Sequence, residues 1–126
     1  MSSVRRTVLL VDDDPLLRAL LARALADDGY AVLAAENGEE ALTLASTLID
    51  QLGLVITDIR MPVMDGVQLA AHLAQLRPTL PILFISGFAG GVDLPGPVLP
   101  KPFHPRAFLD RVRQLTGAGL AADQGA

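Results

Sequence analysis

Five polar residues follow directly on apolar runs in this chain. Asp12 and Asp13 follow residues 8–11, Asp58 follows 54–57, Ser86 follows 81–85 and Lys101 comes just after 98–99. Short apolar runs rich in β-branched residues and bounded by turn formers read as buried strands. Each polar residue then falls at a strand's C-terminal tip, the edge where open α/β sheets hold their ligand crevice. Three converging carboxylates cannot all stay ionised without a counter-charge. Oxygen donors without His or Cys suit a hard cation, and a few carboxylates with water and a phosphate are the usual surroundings of Mg²⁺. With such a cation screening it, Asp58 has the chemistry of a phosphoryl acceptor, since a carboxylate can attack phosphorus and form an acyl phosphate. Lys101 would hold a phosphoryl oxygen as a point charge, and Ser86 would donate a hydrogen bond to another. Each residue alone also has an ordinary explanation: a capping acid, a turn hydroxyl beside Gly87, a surface lysine. The coincidence at four separate strand ends favours the joint role.

The elements that must position these tips can be read from patterning. In Asp12-Asp13-Asp14-Pro15, Asp14 is the expected cap of a helix starting at Pro15, because Pro suits the first helical position and Asp the cap. Leu16/Leu17, Leu20/Leu21 and Ala24/Leu25 recur at helical spacing, with Arg18 and Arg23 outside, and Gly29 ends the helix. Residues 30–35 read as a second strand. Asn37-Gly38 is a turn signal, and Glu39-Glu40 then lead a second helix whose N-terminal dipole they suit. A third helix starts near Asp65-Gly66 and carries His72 on its surface, and Arg77-Pro78 stops it. From Gly87 to Pro100, glycine and proline are too dense for a regular helix of any length. A short fifth strand at 98–99 and a last helix at about 105–115, with Phe108, Leu109 and Val112 inward, complete the pattern. Strands alternating with helices give βαβ units and a parallel sheet, and right-handed crossovers leave few topologies.

Composition narrows the function. Hydrophobic residues make up 51% and charged residues 19% of the 126, so one globular domain is expected. Residues 1–117 would form it, with a flexible tail at 118–126. A net charge of −4 argues against nucleic acid as the main partner. Absence of cysteine excludes a disulfide framework and a thiolate zinc site. The apolar run after Arg5-Arg6 is too short for an export signal, and no window approaches a membrane span. A cytoplasmic domain with no membrane contact is expected.

The motifs VLLVDDDPLLR, LVITDIRMPVMDG, ILFISG and LPKPF, in that order from about Arg6 to Leu115, resemble the receiver domain of two-component response regulators. The resemblance implies an α/β, doubly wound five-stranded parallel sheet in the order 2-1-3-4-5. It implies Asp58 as phospho-acceptor, with Asp13 and Asp58 binding Mg²⁺ directly, Asp12 assisting through water and the Arg60 backbone carbonyl completing the protein ligands. Ser86 and Lys101 match the hydroxyl and lysine that hold the phosphoryl group, and a cis bond before Pro102 is typical. The donor would be a phosphohistidine on a histidine kinase or histidine phosphotransfer protein, docking beside residues 15–21 and near Pro102 and Phe103. An unknown downstream protein would read the switch. The protein would not be an enzyme beyond self-catalysed phosphoryl transfer and autodephosphorylation.

Two features depart from the family pattern. Val98 stands where receivers commonly carry an aromatic rotamer switch, and the helix between hydroxyl and lysine is expected to be short or missing. Phosphorylation is therefore expected to shift the loop 87–97, with Phe88 as its anchor, while Arg60 and Phe88 tune the acyl-phosphate lifetime. Other readings are a receiver-like adaptor that binds partners without phosphorylation, and an aspartyl phosphatase. Phosphatases usually need a second Asp two residues on, where Arg60 stands. A transcription factor would need a further, DNA-binding domain. The chain fits a single-domain shuttle or a piece of a longer hybrid kinase.

Overall fold

The computed structural model describes residues 6–87 and 94–117. Five parallel strands, β1 (Thr7–Val11), β2 (Ala31–Ala35), β3 (Leu52–Asp58), β4 (Ile82–Ser86) and β5 (Val98–Pro100), pair in the order β2-β1-β3-β4-β5. Four helices accompany them: α1 (Pro15–Asp27), α2 (Gly38–Leu48), α3 (Gly66–Leu76) and α4 (Pro105–Thr116). No helix stands between β4 and β5 among the described residues, which leave out 88–93. Phe88 and most of the loop expected to move lie outside the described residues, as does the tail from 118.

The apolar runs are continuous because both sheet faces are covered. Successive side chains on a strand point to opposite faces. Val8 and Leu10 of β1 therefore join Leu21, Leu25, Phe108 and Val112 from α1 and α4 in one core cluster. Leu9 and Val11 join Ala41, Ala45, Leu69 and Leu73 from α2 and α3 in the other. The chain leaves β1 towards β2 on one side and returns to β3 on the other, so the crevice opens at the tips of β1 and β3.

Register brings the expected residues to that edge. Val11 pairs with Thr57, so the residues that follow them, Asp12 and Asp58, stand side by side. Asp58 pairs with Ile85, one residue before Ser86, and Ser86 pairs with Pro100, one residue before Lys101.

Helix ends are set locally. Asp14 caps α1, its Oδ1 accepting from the Leu16 and Leu17 amides at 3.0 and 3.2 Å, with Pro15 first in the helix. At the other end the Gly29 amide donates to Ala26 and the Tyr30 amide to Leu25, a Schellman closure that needs a left-handed residue at Gly29 (φ +96°). Asn37 caps α2, Asp65 and Gln68 form a reciprocal capping box on α3, and His104 caps α4 before Pro105. β2 starts one residue later than the sequence suggests, because Tyr30 closes α1 and buries its ring. β3 starts at Leu52, whose carbonyl and that of Ile49 both accept from Arg77 Nη1 at 2.8 and 2.7 Å.

Candidate functional site

Asp12, the first residue beyond β1, is fully buried, and every polar group it carries is engaged. Its amide donates to the Ala35 carbonyl at 3.1 Å. Its Oδ1 accepts from the Asp14 amide at 2.9 Å, and its carbonyl accepts from Arg18 Nη1 at 2.7 Å. Its Oδ2 lies 3.4 Å from Lys101 Nζ. A solvated acidic turn is thereby excluded for Asp12. Asp13, next along the chain, is exposed.

Asp58 ends β3. Its Oδ1 accepts from the Ile59 amide at 2.7 Å, and its Oδ2 lies 2.9 Å from Lys101 Nζ. Behind it, the Thr57 hydroxyl donates to the Asp58 carbonyl at 2.8 Å. The Gly66 amide donates to the Ile59 carbonyl at 2.8 Å, which brings α3 so close that a Cβ on Gly66 would overlap the Asp58 carbonyl oxygen. Lys101 is fixed from its own side: its amide donates to the Ser86 carbonyl at 2.6 Å and the Lys101–Pro102 bond is cis. The next residue, Phe103, stacks on Phe108 of α4 with ring centroids 5.6 Å apart. Ser86 is buried at the tip of β4 beside this loop.

One carboxylate oxygen each from Asp12, Asp13 and Asp58 lies within 4.8 Å of the others. Burial pushes the Asp12 carboxyl above its ordinary value, and the Asp58 charge adds to this against the weaker pull of the Asp14 amide and Lys101. Burial alone would lower the Lys101 ammonium. Its hydrogen bond to Asp58 and the charges of Asp58 and Asp12 outweigh burial and hold it above its ordinary value. Three carboxylates against one ammonium leave two negative charges, the complement of a divalent cation. An all-oxygen donor set with one carboxylate already penalised by burial fits Mg²⁺.

The structure thus brings together Asp12, Asp13, Asp58 and Lys101, with Ser86 alongside. Arg60 stands exposed two residues past Asp58. Val98 is half-buried and pairs with Phe84. Helical spacing places Arg18 outside α1, yet it is half-buried and reaches back to the Asp12 carbonyl. An arginine one turn into a helix that follows a strand-tip acid is the signal that could have found it. Leu16 and Leu20, 70% and 59% exposed, line the outer side of the same helix.

A family profile described as the response regulator receiver domain matches residues 8–94. The chain is 36% identical over 117 residues to the response regulator receiver protein CpdR of Brucella abortus (strain 2308), covering 87% of this chain and 96% of that protein. It is 35% identical over 116 residues to the sensor kinase CckA of the same organism, covering 86% of this chain but only 12% of the kinase. Among solved structures, the receiver domain from the hybrid histidine kinase CckA superposes with a TM-score of 0.79 at 36% identity, covering 87% of this chain and 98% of that one. No helix among the described residues is long and apolar enough to cross a membrane.

Proposed function

From the premise that this chain belongs to the response regulator receiver domain family, we propose that it accepts a phosphoryl group on Asp58 from a phosphohistidine and passes the change to a partner protein. The observation that carries this reading is Lys101 Nζ at 2.9 Å from an acceptor carboxylate that stands within a three-acid cluster. An Asp58 oxygen attacks phosphorus, the O–P bond forms as the N–P bond breaks, and the imidazole leaves with the bonding pair. Asp12, Asp13, Asp58 and the Arg60 carbonyl would hold Mg²⁺, which when bound supplies positive charge against the oxygens of acceptor and donor. Lys101 then transfers its hydrogen bond from the carboxylate to a phosphoryl oxygen, and the Ser86 hydroxyl donates to another.

The donor is a histidine kinase or phosphotransfer protein in the cytoplasm. Exposed Leu16 and Leu20 on α1, the helix that follows Asp12 and Asp13, support a helical, apolar docking partner there. Beyond its own phosphorylation and dephosphorylation the chain turns over no substrate. Incubation with acetyl phosphate and Mg²⁺ should add one phosphoryl group by intact mass, and Asp58→Asn should add none. Equal uptake by Asp58→Asn would move the acceptor elsewhere. No uptake by the native chain would leave the reading of a binding-only adaptor.

A further inference from the structure

Arg18 has no part in the chemistry above. Its guanidinium turns back along α1, and Nη1 donates to the Asp12 carbonyl at 2.7 Å, a charge-assisted bond from a half-buried side chain. That carbonyl belongs to the peptide joining Asp12 to Asp13. The amide of Asp12 is tied to β2 and its carboxylate to Asp14 and Lys101, so only the far side of this peptide remains to be fixed. Asp13 is exposed, and its carboxylate has no hydrogen bond among the described residues, so the backbone fixes the position of its Cβ and leaves only the rotamer to choose.

We infer that Arg18 is a positioning residue for the divalent cation: by holding the Asp12–Asp13 peptide it sets where the Asp13 carboxylate stands relative to Asp12 and Asp58. The inference rests on the magnesium reading of the acidic cluster. Two effects of Arg18 on the cation have opposite signs. As a nearby positive charge it repels Mg²⁺, an effect that salt screens only in part for a half-buried side chain but that its bond to the Asp12 carbonyl dipole partly offsets. As an outer-shell support for metal ligands it raises affinity, and losing such a partner typically costs about 10–100-fold. Positioning should therefore prevail.

The test is titration of the full chain with MgCl₂, following amide resonances of residues at the strand tips. Arg18→Met keeps the aliphatic stem packed on the helix and removes the donor and the charge. It should weaken Mg²⁺ binding about tenfold, at the lower end of that outer-shell range. Arg18→Lys should recover part of the loss. Arg23→Met removes the same charge from the same helix, where Arg23 pairs with Asp27, and should leave affinity unchanged. Saturating Mg²⁺ should restore the acetyl phosphate labelling rate of Arg18→Met, which a general loss of structure would not allow. Affinity in Arg18→Met equal to or tighter than in the native chain overturns the inference. Absence of any Mg²⁺ response in the native chain would instead overturn the magnesium reading itself.

Discussion

Replacing Gly66 by Ala should damage both the fold and the acceptor. Gly66 is the first residue of α3, directly behind Asp58. A Cβ there would overlap the Asp58 carbonyl oxygen and lie 3.1 Å from both the Asp58 carbonyl carbon and Ile59 Cα. All three atoms are backbone, so no rotamer change relieves the contact. Either β3 or α3 must move. Overpacking of this kind costs about 1–3 kcal/mol, while exchanging a helical Gly for Ala returns about 0.5–1 kcal/mol at most. A net loss of up to roughly 2.5 kcal/mol follows. The displaced peptide carries the Asp58 carboxylate, so its 2.9 Å contact with Lys101 opens as well. Two controls separate these effects. Gly87→Ala meets nothing within 4 Å among the described residues and should be near neutral. Gly38→Ala meets the Met64 carbonyl at 2.6 Å and the Met64 Cβ at 2.8 Å, its nearest atoms belonging to Met64 rather than to Asp58 or Ile59, and should cost stability with less loss of phosphorylation. Urea unfolding gives the stability change, and labelling by acetyl phosphate below the unfolding transition gives the acceptor change. The reasoning is refuted if Gly66→Ala matches the native chain in both, or if Gly38→Ala loses acceptor function equally.

Three further perturbations follow from the site. Asp12 binds its proton more tightly in the fold, so its contribution to stability is full below its ordinary 3.8 and is lost as pH rises through its higher folded value. In EDTA the urea midpoint should therefore fall from about pH 4 towards neutrality, and Asp12→Asn should flatten that fall; parallel curves would exclude it. Lys101→Met leaves two carboxylates without their ammonium, one of them fully buried. It should lose about 1–3 kcal/mol without metal and gain more than the native chain from Mg²⁺, and an equal gain would show that Lys101 does not neutralise the cluster. Val63 is exposed at φ +71°, the centre of a three-residue turn closed by the Met64 amide on the Pro62 carbonyl at 2.8 Å. Such turns are strained for a β-branched residue. Val63→Asn should raise stability by up to about 1 kcal/mol in urea, whereas any loss would mean that the turn carries no strain.

The strands and the tip residues were legible because strand burial writes itself as uninterrupted apolar runs, and because Asp14-Pro15 and Asp65-Gly66 carry their capping chemistry in sequence. The start of β3 was not, since Gly53 weakens the local pattern. The ladder nevertheless continues through Thr7 opposite Leu52, across an irregularity between Thr7 and Val8. Arg18 was hidden for a different reason. Helical periodicity assigns the direction of Cβ, but a long side chain can carry its guanidinium back towards the helix N-terminus and the strand tip. The need for glycine at 66 is likewise invisible in one dimension, because the atom it makes room for belongs to the end of the preceding strand.

The same charges that burden the fold make the site responsive. Asp12 stays buried beside Asp58 although burial opposes its ionisation, and Lys101 offsets only one of three negative charges. A fully neutralised cluster would be more stable without metal and would have less attraction for a divalent ion. Lys101 is also tied through its backbone to the Ser86 carbonyl, at the end of the β4–β5 ladder. An acyl phosphate carries more negative charge than the carboxylate it replaces. Any move of the Lys101 ammonium to follow that charge therefore pulls on the edge strand to which its own amide is bonded. β5 is only three residues long and ends in Pro100, which can donate no hydrogen bond to the ladder. Its resistance to such a pull is correspondingly small.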